Sequence, residues 1–147
     1  MTETFEADFT GSARARLRAL SDRIPRVAPT DPYRIAMNKL GLDEPTPAEA
    51  ALKARLLRGG YRSRGLPADA LLIAVVETGI GVWATNDPGP LSLDEHDVVG
   101  ASLRVRVFSE PPPVSSGVMT LYAVVVPGVS ALEAREALWV AREILTA

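Results

Sequence analysis

The residues best suited to chemistry in this chain gather between positions 77 and 97. Thr85, Asn86 and Asp87 are three consecutive short polar side chains at the end of an extended segment. Such a cluster can orient a water molecule for attack on a carbonyl, and it can equally form a turn before Pro88. Trp83 lies just upstream, close to Gly81, and offers one aromatic face and one N–H donor to a ligand or to the core. His96 sits in Asp94-Glu95-His96-Asp97, which suits a pH-sensitive contact, or a solvated helix start after Ser92, better than a general base. The spacing of these acids matches no calcium loop, and nothing in the spacing brings Ser115 or Ser116 to His96 as a triad. With one histidine and no cysteine, disulfides, thiol nucleophiles, thiolate metal sites and histidine-pair mechanisms are excluded. No metal or organic cofactor is called for.

Charge supplies a second set of candidates. The net charge of −2 hides a basic stretch: residues 11–64 carry a balance of +7, with ten arginines among their twelve bases, whereas residues 65–147 carry −6. Arginine is the side chain best suited to bidentate contact with phosphate. Arg55 and Arg58 share a helix face at three-residue spacing, and Arg62 and Arg64 follow on a basic loop. These arginines can hold a polyanion or simply solvate helix faces. No aromatic residues interleave with them, so stacking of single-stranded bases is not indicated.

The elements that must position these residues follow from caps and periodicity. The 147 residues fit one domain, with residues 1–9 expected as a mobile lead and 10–147 as the folded unit. The spacing predicts a helix from Ser12 to Arg23, breaks at Pro25 and Pro29, and a short helix over Pro32–Leu40 with Ile35 and Leu40 inward. Thr46-Pro47-Ala48-Glu49 is a capping box opening a helix through Leu52, Leu56 and Leu57 to Gly59-Gly60. Leu66-Pro67 opens a mostly apolar, buried helix to Thr78-Gly79, and a short extended segment, Ile80–Thr85, follows. Ala101–Phe108 alternates as a strand, with Leu103, Val105 and Val107 on one face, and Met119–Val126 reads as a central strand. Ser130-Ala131-Leu132-Glu133 is a second capping box, opening a covering helix to Leu145 whose inner face includes Leu132 and Leu138. The result is an α+β domain: N-terminal helices, a small mixed or antiparallel sheet, and a C-terminal covering helix. No apolar run approaches a membrane span and no basic apolar leader precedes the acidic first ten residues, so a cytoplasmic chain without membrane contact is expected.

One ordered set of residues resembles a known family. Tyr33-Arg34, Gly41-Leu42-Asp43, Pro45, Pro47-Ala48-Glu49-Ala50, Leu52, Arg55, Gly59-Gly60, Leu66-Pro67, Glu77-Thr78-Gly79 and Asn86-Asp87 occur in an order similar to the tRNA-binding and editing (B3/B4) domain of the phenylalanyl-tRNA synthetase beta chain. The likeness is greatest to free-standing relatives of that domain. It covers residues 31–90 well and 118–146 loosely. The resemblance implies binding of tRNA or aminoacyl-tRNA and metal-independent hydrolysis of a mischarged ester in trans. It implies Glu77, Asn86 and Asp87 as catalytic candidates, Trp83, Thr85 and Thr78 as the substrate pocket, and Arg34, Arg55, Arg58, Arg62 and Arg64 as the tRNA contacts. An aminoacyl ester is already activated, so a positioned water can suffice. Two further readings stand beside it: a repurposed domain that binds or transforms a small amino-acid-derived molecule, and a non-catalytic interaction module.

Overall fold

The computed structural model describes residues 1–22, 31–58 and 60–146; the side chains of Asp31 and Arg58 lie outside that description, as do Arg23, Pro25, Pro29 and Gly59 of the expected helix ends and breaks. The elements run β1 (Thr2–Ala7), α1 (Arg14–Ser21), α2 (Asp31–Lys39), α3 (Pro47–Arg58), α4 (Ala68–Thr78), β2 (Trp83–Thr85), β3 (Ser92–Asp94), β4 (Asp97–Val99), β5 (Arg104–Arg106), β6 (Gly117–Tyr122) and α5 (Ala131–Thr146). Helices and two small antiparallel sheets make the α+β class expected from the sequence. Among the described residues no helix is long and apolar enough to cross a membrane.

The main sheet has the order β1-β6-β2, with β6 central. Its pairing is long-range: Thr2 lies opposite Tyr122, and Trp83 lies opposite the same residue on the other side. The first residues, expected as a mobile lead, therefore hold an edge strand. Phe5 and Ala7 pack into the core, and Glu3 forms an ion pair with Arg142 of α5, whose guanidinium lies over the Phe5 ring. The stretch carries acids at 3, 6 and 8, and Glu3 finds its partner 139 residues away.

The other sheet has the order β3-β4-β5, of which the sequence pattern predicts only the last strand. Leu103 and Val107 are buried and Arg104 and Arg106 exposed, as the alternation predicted, although β5 itself covers only Arg104–Arg106. His96 sits in the β3–β4 turn rather than at a helix start, because Asp94 lies opposite Asp97 in a hairpin that Glu95 closes at φ 54°.

Both capping boxes form. Thr46 Oγ1 accepts from Glu49 N–H at 3.3 Å and donates to Glu49 Oε1 at 2.9 Å; Ser130 Oγ accepts from Glu133 N–H at 3.1 Å and donates to Glu133 Oε1 at 3.0 Å. The apolar helix α4 is the central one, packed by α1, α3 and α5, and Gly79 ends it at φ 77°. Two inward assignments are corrected: Ile35 is 56% exposed because Tyr33 and Met37 take the inner face of α2, and Leu132 is 71% exposed. In α3 Leu56 and Leu57 point to solvent while Ala51 is buried.

Candidate functional site

The site is a cleft of about 420 Å³ between α3 and α4, bounded by the 60–68 loop, the Gly81–Trp83 segment and Phe108–Glu110. Its existence follows from side-chain size. Helix α3 turns Ala50, Ala51 and Ala54 toward Leu71, Leu72 and Val75 of α4, and alanines leave unfilled the space that larger residues would occupy. Gly81 keeps the floor low: a Cβ there would stand 2.7 Å from Pro47 Cγ and 2.8 Å from Trp83 Cη2.

Trp83 lines this cleft as part of an aromatic row. Its ring stacks on Tyr122 at 5.8 Å and 19°, and meets Phe108 edge-on at 6.1 Å; Phe108 in turn meets Tyr33 at 6.1 Å and 84°. Phe108 holds a left-handed backbone at φ 68°, an outlier for an aromatic residue that the packing on both sides of its ring sustains. Burial pushes the Tyr33 phenol up to about 12 and raises that of Tyr122 further, with the charge of Glu110 adding to the second shift. Both phenols are neutral at ordinary pH; they are buried behind Trp83 and Phe108 and do not line the cleft.

The polar end of the cleft is built on Asp69. This carboxylate, 1% exposed, accepts from Ser63 Oγ–H at 2.6 Å and from Arg64 N–H at 2.8 Å, tying the basic loop to the first turn of α4. Arg62 and Arg64 line the cleft with exposed side chains that make no hydrogen bond or ion pair among the described residues. Glu110 lines it as well. The cleft thus offers an aromatic and aliphatic body and two unengaged guanidiniums, a combination that can hold an apolar group attached to an anion.

Of the residues expected in the pocket, only Trp83 lies there. Glu77 is bound in a two-point ion pair with Arg16 of α1, at 2.8 and 3.3 Å, and does not line the cleft. Thr78 Oγ1 donates to Ala74 C=O at 2.7 Å and accepts from Ile80 N–H at 3.1 Å, finishing α4. Thr85 is buried and its Oγ1 accepts from Asp87 N–H at 3.1 Å. The Asn86 amide donates to Ser115 C=O and Val118 C=O, both at 3.0 Å, and its oxygen accepts from Ser115 N–H at 2.9 Å. Thr85 and Asn86 stand where β2 ends and the chain is tied to β6 and the segment before it, and neither lines the cleft.

Asp87 is engaged as well. Its Oδ2 accepts from Ser102 N–H at 2.6 Å, Leu103 N–H at 2.8 Å and Ser102 Oγ–H at 3.2 Å, while Oδ1 accepts from Gly89 N–H at 2.8 Å. The N–H groups, Ser102 foremost, hold its carboxyl far below the usual carboxylate range despite burial. A Cβ at Gly100 would lie 2.4 Å from Oδ2, so glycine there is what allows the approach. Both carboxylate oxygens are thus committed to neighbouring N–H groups and to the Ser102 hydroxyl.

The expected phosphate contacts divide in the same way. Arg34 donates to Glu44 C=O at 2.9 Å and pairs with Glu49 at 3.3 Å, and Arg55 donates to Ser21 C=O at 2.8 Å. Both tie helix ends together. The Arg58 side chain lies outside the described residues. Among the described side chains of the set, Arg62 and Arg64 meet the cleft and Arg34 and Arg55 do not.

Sequence reasoning missed Asp69, Phe108 and Glu110. An acid in a helix's first turn is ordinary, and the strand pattern of 101–108 gave no sign that its last residue turns left-handed into a cleft. No known protein family, curated protein or solved structure matches this chain.

Proposed function

We propose that this chain is a binding domain whose cleft between α3 and α4 takes a small amino-acid-derived molecule carrying an apolar or aromatic part and an anionic group. The observation that carries the reading is the pair of unengaged guanidiniums, Arg62 and Arg64, at a cleft floored by Trp83. A volume of about 420 Å³ is of the size that small ligands occupy. The proposal is one of binding: Glu77, Asn86 and Asp87 stand outside the cleft, each in hydrogen bonds or an ion pair with its neighbours, and catalysis forms no part of it.

A second reading, the aminoacyl end of a tRNA, draws on the B3/B4-like order of residues and on the +7 balance of residues 11–64, to which Arg62 and Arg64 belong. The two readings differ in their response to salt. A single carboxylate or phosphate held in a cleft loses little affinity as salt rises, whereas a chain of phosphates loses affinity steeply through counterion release. Fluorescence of a Trp139→Phe protein, which reports Trp83 alone, is titrated with N-acetyl-phenylalanine and with total aminoacylated tRNA at two salt concentrations. A salt-tolerant response to the small probe, lost in Arg62→Ala/Arg64→Ala, supports the first reading. Salt-sensitive tRNA binding without a small-probe response replaces it with the second. Silence toward both removes both.

A further inference from the structure

Helix α5 carries a seven-residue pattern twice over: Leu132-Glu133-Ala134-Arg135-Glu136-Ala137-Leu138, then Trp139-Val140-Ala141-Arg142-Glu143-Ile144-Leu145. Half of each copy is explained by the core, since Ala134, Ala137, Leu138, Ala141 and Leu145 are buried against α4 and the main sheet. The other half is not. Leu132 and Trp139, 71% and 58% exposed, stand two turns apart on the outer face, only about 20° from one another around the axis. A tryptophan left that open beside a leucine is an uncovered apolar stripe. Arg135 and Arg142 flank the stripe on one side, and Glu136 and Glu143 flank it on the other. Arg142 is already held by Glu3, but Arg135, Glu136 and Glu143 make no hydrogen bond or ion pair among the described residues.

We infer that this face binds a second copy of the same chain, with the two α5 helices side by side and parallel about a two-fold axis. The charge arrangement selects both the partner and the direction. A two-fold axis along the helices brings the arginine flank of one copy opposite the glutamate flank of the other, with Arg135 facing Glu136 of the second copy on both sides of the seam. Turning one helix around sets arginine against arginine and glutamate against glutamate. A foreign partner would have no need of a stripe whose two flanks are complementary to each other. Leu132 and Trp139 form the apolar seam, and the ion pairs at its rim fix the register more than they add affinity.

Sedimentation equilibrium and native mass spectrometry across a wide range of concentration read the outcome, with circular dichroism confirming that each variant is folded. The wild-type chain is a dimer at high concentration, and Trp139→Lys weakens it by about tenfold or more. Arg135→Glu alone and Glu136→Arg alone each weaken it too, since like charges then face each other across the seam. An equimolar mixture of the two reversed proteins regains a dimer containing one of each. A wild-type chain that stays monomeric throughout overturns the inference, as does a dimer indifferent to Trp139→Lys. A mixture no better than its components overturns the parallel pairing.

Discussion

At the scale of single residues, Asp87 shows how a short polar side chain is engaged by the backbone folded around it. Asp87 satisfies three backbone N–H groups and a hydroxyl from segments up to 16 residues away, so Asp87→Ala would leave buried donors without acceptors. The expected loss is about 3 kcal/mol in urea unfolding, with no change in ligand affinity per folded molecule. Its acid dependence has a definite sign. A carboxyl depressed in the fold below its ordinary 3.8 contributes stability that is complete above that value and is lost as pH falls toward the lower folded-state value. Acid unfolding of the wild type should therefore steepen below pH 4, and the Asp87→Ala curve should be flatter there. Gly81 supplies the contrasting case: Gly81→Ala drives a methyl into Pro47 and the Trp83 ring, costing about 1–3 kcal/mol, and should narrow the cleft enough to weaken the small-probe fluorescence response.

At the scale of elements, what matters is how loops are tied to helices. Ser130→Ala removes the α5 cap and should cost about 1 kcal/mol in thermal or urea unfolding without touching the cleft. Asp69→Ala acts on both stability and site. It leaves the Ser63 hydroxyl and the Arg64 N–H without their acceptor, at a cost of about 1–3 kcal/mol, and frees the loop that carries Arg62 and Arg64. Ligand affinity should fall by more than Ser130→Ala causes, and calorimetric titration of the two variants separates the effects. Capping boxes and the apolar α4 were legible in the sequence because their determinants lie within a few residues of each other. The inward placement of Ile35 and Leu132 was not, because periodicity marks where leucine and isoleucine stand and not whether a neighbour arrives to cover them: in α2 Tyr33 and Met37 are buried instead.

At the scale of the whole molecule, the main sheet is assembled across nearly the full length of the chain, with β1 and β6 joined through pairs such as Glu3–Leu121 and Phe5–Met119. Deletion of Thr2–Ala7 should therefore do more than trim an edge. It removes six of the nine residue pairs of the central strand and exposes Met119 and Leu121, both fully buried, so cooperative unfolding should be lost in calorimetry.

The amino-acid sequence by itself determined the α+β class, the helix starts at Thr46 and Ser130, the buried central helix, the alternation of Leu103, Val105 and Val107, and the central place of the strand that holds Met119, though that strand runs Gly117–Tyr122 and not on to Val126. All of these rest on interactions between near neighbours or on the gross hydrophobicity of one segment. Only the tertiary structure decided that residues 2–7 are a strand, that Glu77 belongs to Arg16, that Asn86 and Asp87 hold loops, and that the cleft lies between α3 and α4. In each of those the deciding partner stands far along the chain, where short-range spacing has no purchase. The same polar side chain that can orient a water is captured instead by whichever backbone N–H the fold brings within 3 Å.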